Sequence, residues 1–178
     1  MTYYGGKELA SAFRTVRKNT IQIAEDIPES SYGFVAAPEA RSVAGMLTHV
    51  AISTQIWEDL HKMRLTTLVG FDFSVILDRF KAEEAKTRSK AEILDLLRTA
   101  GEQFAAWMET LTPEFLAETV IEPDGKTAKT RFERLLGTKE HEMHHRAQLM
   151  LIERQLGIVP HLTRQFNERV EQMRAAKA

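Results

Sequence analysis

Thr130-Arg131-Phe132-Glu133-Arg134-Leu135-Leu136-Gly137-Thr138-Lys139-Glu140-His141-Glu142-Met143-His144-His145-Arg146-Ala147-Gln148 decides the architecture. Thr130 followed three residues later by Glu133 is a capping-box start, and the helix it opens should run until Gly157 and Pro160 stop it. On a wheel of about 100° per residue, His141, His145, Leu149, Ile152 and Leu156 share one edge, while Phe132, Leu136, Met143, Ala147 and Met150 line the other. A helix with two apolar edges needs neighbours on both sides, one of them beyond its own bundle. His141 and His145 also stand one turn apart on one face, the spacing at which two imidazoles grip a single divalent ion. Three of the chain's six histidines fall within residues 141–145.

Three further long segments show helical periodicity. Leu9, Phe13, Val16, Thr20, Ile23 and Ile27 recur at spacings of four and three, predicting a first helix over about 6–27 that Pro28 closes. Ser42 is an N-cap for a second helix running to about Arg64, with a stripe of Val43, Met46, Leu47, Val50, Trp57 and Leu60 and with His49 at its inward edge. Ser89-Lys90-Ala91-Glu92 opens a third, striped by Ile93, Leu96, Leu97, Ala100, Phe104, Trp107 and Leu111 and ended by Pro113. Between them Phe71-Asp72-Phe73-Ser74 predicts a turn and then a short helix through Val75, Ile76, Leu77 and Phe80. Pro123-Asp124-Gly125 marks a turn ahead of the fourth helix, an amphipathic piece should follow from about 162 to 174, and no segment reads as a strand. The expectation is an all-α protein: an antiparallel four-helix bundle with additional short helices, in one domain over 1–178 with its core at about 5–157. The second apolar edge of the fourth helix should be covered by the C-terminal segment or by a second subunit, and the reading favours a homodimer.

Composition narrows the function. Of 178 residues 43% are hydrophobic and 28% charged, with no apolar run of membrane-spanning length and no apolar signal core at the N-terminus, so the expectation is a cytoplasmic protein. Twenty-four basic side chains against 25 acidic ones, net −1, give no electrostatic footprint for nucleic acid or anionic lipid. There is no cysteine, which excludes disulfides, thiolate ligands and a cysteine nucleophile; a metal here must be held by histidine and carboxylate. Phosphate-binding glycine loops and serine nucleophile elbows are absent.

His49 is the remaining mid-helix histidine beside an apolar stripe and therefore the candidate third ligand. Three neutral imidazoles around one ion leave a coordination position open for water or substrate. His144 lies about 80° or more around the helix from the pair and reads as a supporting or surface residue; His61 and His161, near helix ends, read as solvated, with His61 in reach of its helix C-terminus. His141-Glu142-Met143-His144-His145 also matches the zinc metalloprotease pattern H-E-x-x-H, but the only downstream histidine is His161, with no second motif around it. Glu142 is then read as an exposed partner of Arg146.

His49 in Met46-Leu47-Thr48-His49-Val50-Ala51, together with His141-Glu142-Met143-His144-His145-Arg146-Ala147-Gln148-Leu149, resembles the DinB-like family of metal-binding four-helix bundles and its H-x-x-x-H-R-x-Q signature. That family includes bacillithiol S-transferases and is related to mycothiol-dependent isomerases. The Pro123-Asp124-Gly125 turn and the Arg131-Phe132-Glu133 helix start are similar too, and Ala147 stands where the family commonly has glycine. The resemblance implies that His49, His141 and His145 bind one divalent ion, zinc or nickel before iron or manganese, with Arg146 and Gln148 in support. It further implies a metal-dependent transferase that joins a low-molecular-weight thiol to a small-molecule electrophile, or a related hydrolase. Trp57 or Ile56, from its place on the second helix, is the expected wall of the substrate pocket. A non-catalytic metal-binding or dimerisation protein is the alternative.

Overall fold

The computed structural model describes residues 4–177, in which the four expected long helices form the bundle. In chain order the elements are α1 (Gly6–Asp26), a short 3-10 turn (Glu29–Ser31), α2 (Val43–Lys62), α3 (Ser74–Glu84), α4 (Lys90–Glu109), α5 (Pro113–Ala117), β1 (Thr119–Ile121), β2 (Ala128–Thr130), α6 (Arg131–Gln155) and α7 (His161–Ala175). The helix starts obey their local chemistry. Ser42 Oγ accepts from Gly45 N, and Ser89 and Thr130 each close a reciprocal capping box with Glu92 and Glu133. Every residue of the α1 stripe is buried, from Leu9 to Ile27.

Around the bundle the order is α1, α4, α2, α6, so the consecutive helices α1 and α2 lie diagonally opposite. Arg98 reaches Glu25 and Arg14 reaches Glu102 and Glu109, which sets α1 and α4 antiparallel. His49 meets His141 while Arg134 lies over Trp57, so α2 and α6 are antiparallel as well. Leu9 packs near Leu135 and Ile23 near Leu149, making α1 and α6 parallel, and by the same reasoning α2 runs parallel to α4. Two consecutive parallel helices need a return connection. α3 is part of that return: it climbs back along α2, with Arg79 paired to Asp59 and Glu84 to His49.

The core has two apolar layers. One gathers Ile23, Ile27, Val43, Leu47, Ile93, Leu97, Leu149 and Ile152; the other gathers Leu9, Phe13, Phe104, Met108, Phe115 and Leu135. α1 approaches the end of α4 so closely at Gly6 that a Cβ there would stand 2.3 Å from the Met108 carbonyl oxygen, which explains a glycine in the first turn.

Three sequence expectations are corrected. β1 and β2 form an antiparallel hairpin, Thr119 opposite Thr130 and Ile121 opposite Ala128, where no strand was expected. Three-residue strands are too short to display a two-residue period, and the hairpin is organised by its turn, in which Asp124 Oδ1 accepts from Lys126 N and Thr127 N and Gly125 takes φ +68°. His61 is buried, not solvated: its Nδ1 donates to Trp57 O at 2.7 Å, and burial pushes its pKa down to about 4. His161 is buried as well, because the start of α7 folds back on α1 and places Nε2 3.1 Å from Asn19 Oδ1.

The junction of α6 and α7 also encloses Glu153, which is fully buried with no hydrogen-bond partner on either oxygen among the described residues. Burial, reinforced by Asp26 and opposed by Arg164 and Arg154, pushes its carboxyl up from 4.5 to about 7. A carboxyl with a raised folded-state pKa favours folding while protonated, and that contribution is lost as pH rises from 4.5 through about 7. Glu153→Gln should therefore differ little from wild type in urea unfolding at about pH 4 and be the more stable of the two at about pH 8. The same difference at both pH values would refute this.

Candidate metal centre

The structure brings His49, His141 and His145 together at mid-height, where α2 and α6 run side by side: the three ligating nitrogens lie within 4.8 Å of one another. His141 Nε2 is 3.1 Å from His49 Nε2 and 3.2 Å from His145 Nε2. Two nitrogens each about 2.0–2.1 Å from a common tetrahedral centre stand about 3.4 Å apart, close to both values.

The outer nitrogens settle the tautomers. His49 Nδ1 lies 2.7 Å from Glu84 Oε1 and His145 Nδ1 lies 2.8 Å from Gln148 Oε1. Glu84 can only accept, and Gln148 turns its amide oxygen to His145 and its NH2 to His144, so in this arrangement both Nδ1 atoms carry the proton and both Nε2 atoms present lone pairs inward. An N–H on His141 Nε2 can satisfy one of these lone pairs; against the other, it leaves nothing to donate. A cation in the centre removes the conflict, since all three nitrogens then donate electron pairs to it. The donor set thus fits a divalent metal better than it fits a hydrogen-bonded cluster.

The electrostatics agree. Burial, then His145 and His49, push His141 down to about 4. His49 is lowered by burial and Arg41 against the pull of Glu84, and His145 by burial against the pull of Gln148. Neutral imidazoles at neutral pH are the form that binds metal. Phe80 meets the His49 ring edge-on at 5.3 Å, and beside it Ile52, Gln55, Ile56, Arg79, Phe80 and Glu83 line a cavity of about 100 Å³. Ile56 lines this cavity; Trp57 does not, packing instead against the apolar layer of Leu9, Phe13 and Phe104. His144 is exposed, within 3.3 Å of the Gln148 amide.

Glu142 differs from its sequence reading. It is 2% exposed and bonds not Arg146 but Arg17 of α1, at 2.9, 3.1 and 3.0 Å. The Arg17 guanidinium also donates to Leu97 O and Val50 O, so one buried pair ties α1, α2, α4 and α6 together between the two apolar layers. Both oxygens of Glu142 are thereby occupied, which deprives the H-E-x-x-H reading of its general base. Gly101 makes room for this arginine: a Cβ there would lie 2.8 Å from Arg17 Cγ. Sequence reasoning also missed Glu84. Its only local signal was its helical spacing from Phe80, and nothing in the segment pointed to His49.

The family model of the DinB superfamily matches residues 12–149. The chain belongs to the DinB superfamily. Its fold is similar to that of a DinB-like protein from Bacillus subtilis, YjoA, with 23% identity over 84% of this chain and 92% of that one and a TM-score of 0.63. YfiT from Bacillus subtilis, a probable metal-dependent hydrolase with an unusual four-helix bundle topology, is 19% identical over 89% and 91% of the two chains, with a TM-score of 0.69. A mycothiol-dependent maleylpyruvate isomerase is 12% identical over 84% of this chain and 63% of its own, with a TM-score of 0.64. At these identities the likenesses show the DinB fold. No curated protein matches the chain. Among the described residues, no helix is long and apolar enough to cross a membrane.

Proposed function

We propose that this DinB protein is a metal-dependent enzyme in which His49, His141 and His145 hold one divalent ion, and that it joins a low-molecular-weight thiol to an electrophile or carries out a related hydrolysis. The observation that carries the reading is the convergence of three Nε2 atoms of which two present lone pairs. YfiT, a probable metal-dependent hydrolase, and the mycothiol-dependent isomerase lend support from the same fold. Imidazole donors suit zinc or nickel, with iron or manganese as further options.

Such an ion, when bound, lowers the pKa of a water or thiol on its open position toward neutrality. The chain's own residues supply the rest. Glu84 and Gln148 hold the His49 and His145 rings with their Nε2 atoms inward, and Ile52, Ile56 and Phe80 wall a cavity suited to the apolar part of a substrate, with Gln55, Arg79 and Glu83 as its polar lining. The protein has no cysteine of its own, so the thiol arrives with the substrate. Met143 and Leu151 of α6 and Phe166 and Met173 of α7 are exposed apolar side chains, which supports a homodimer.

Turnover of a panel of small thiols with a haloaromatic electrophile, and of activated esters, tests the reading on zinc- and nickel-loaded protein. Activity should fall to background on chelation and in His145→Ala. Turnover that survives both would overturn it.

A further inference from the structure

We propose that Glu84 is a positioning residue for His49, and that through it α3 acts as a cover over the histidine cluster whose docking tightens when the cation binds. The inference rests on the assignment of His49, His141 and His145 as ligands. Among the described residues, Glu84 is the carboxylate hydrogen-bonded to a ring of that cluster; the His145 partner is the neutral amide of Gln148, and His141 Nδ1 has no partner. The chain reaches this point because the return connection between the parallel helices α2 and α4 passes the cluster.

α3 buries little of itself. Ile76 is its one buried residue, while Val75 and Leu77 are 73% and 46% exposed. An element with so small an apolar footprint opens easily, and what holds it is correspondingly sensitive to single contacts. Two of those contacts end on His49: the Phe80 ring edge and the Glu84 carboxylate. A third joins Arg79 to Asp59 of α2, and Arg41 Nε, 3.2 Å from Glu84 Oε1, steadies the carboxylate from the outer side.

A cation on Nε2 draws electron density from the imidazole and makes Nδ1–H a stronger donor, so the bond to Glu84 strengthens. In return, the carboxylate raises the basicity of Nε2 and fixes the ring plane. Two equilibria that favour each other do so by the same factor: metal binding stabilises the docked α3, and docked α3 raises metal affinity. Because Phe80, Arg79 and Glu83 of α3 also line the cavity beside His49, closing this cover completes that cavity.

The test measures zinc affinity by chelator competition, and hydrogen exchange of the 74–84 amides with and without zinc, in wild type, Glu84→Gln and Asp78→Asn. Glu84→Gln keeps the size and an acceptor oxygen but removes the charge, and Asp78 is an exposed carboxylate on the same helix. Glu84→Gln should bind zinc about 10- to 100-fold more weakly and lose the zinc-dependent protection of α3, while Asp78→Asn keeps both. The cobalt(II) absorption of Glu84→Gln should show a changed band shape, as expected for a misaligned imidazole. Affinity within twofold of wild type, or undiminished protection of α3 by zinc, would overturn the proposal. Wild-type protein that binds no zinc would instead overturn the ligand assignment beneath it.

Discussion

Arg17→Met should destabilise the fold by about 3–5 kcal/mol, because it leaves Glu142 as a lone carboxylate in the middle of the bundle. Glu142 is 2% exposed, and the Arg17 donors are its only hydrogen-bond partners among the described residues. The double variant Arg17→Met with Glu142→Leu should recover all or most of the loss, since removing both members also removes the desolvation of two charges; exchanges of this kind range from neutral to about 1–4 kcal/mol stabilising. The Leu97 and Val50 carbonyls lose a donor in both variants, but each sits inside a helix and keeps its backbone partner. Urea unfolding of the four members of this cycle gives the coupling directly. A double variant as unstable as Arg17→Met would show that packing around the guanidinium stem, and not the charge pair, dominates. The pair also lies against both walls of the candidate centre, since Val50 follows His49 and Glu142 follows His141. Zinc affinity of the double variant therefore separates the architectural role of the pair from any influence on the ligands.

His145→Ala should bring the metal content of purified protein from about one ion per chain to near zero. Zinc held in a four-ligand site contributes about 10–16 kcal/mol, so one imidazole accounts for roughly 3–4 kcal/mol, or a weakening of about two to three orders of magnitude. His141→Ala should behave alike, whereas His144→Ala should retain the ion, because the His144 ring is exposed and its hydrogen-bond contact is to Gln148. Elemental analysis alongside circular dichroism checks both points. Equal metal in wild type and His145→Ala, with the helix content unchanged, would remove the centre as drawn; a variant that fails to fold is replaced by His145→Gln, which keeps the bulk and loses the imidazole.

The parts of this molecule that could be read from residues alone are those written within one helix. The α1 stripe, the Ser42 cap and the boxes at Ser89 and Thr130 are relations across three or four positions, and each is found in place. The same holds for His141 and His145, and for the register that turns His49 inward. Relations between helices were not legible. Arg17 and Glu142 are 125 positions apart. Glu142 read as an exposed partner of Arg146 and nothing near Arg17 in the sequence named its partner; only the mid-bundle layer shared by four helices makes their burial favourable. His61 and His161 read as solvated because the segments that cover them come from elsewhere in the chain.

Spacing along the sequence established the helical class, the four long helices and the inward faces of His49, His141 and His145; packing brought the three rings together. Packing decided the order α1, α4, α2, α6, the return path that sets Glu84 against His49, and the burial of the Arg17–Glu142 pair. The physical reason is one of range. Helical periodicity and capping act over a few residues and leave their mark in composition, whereas a buried charge or an oriented imidazole is stabilised by groups brought near only when the whole bundle closes.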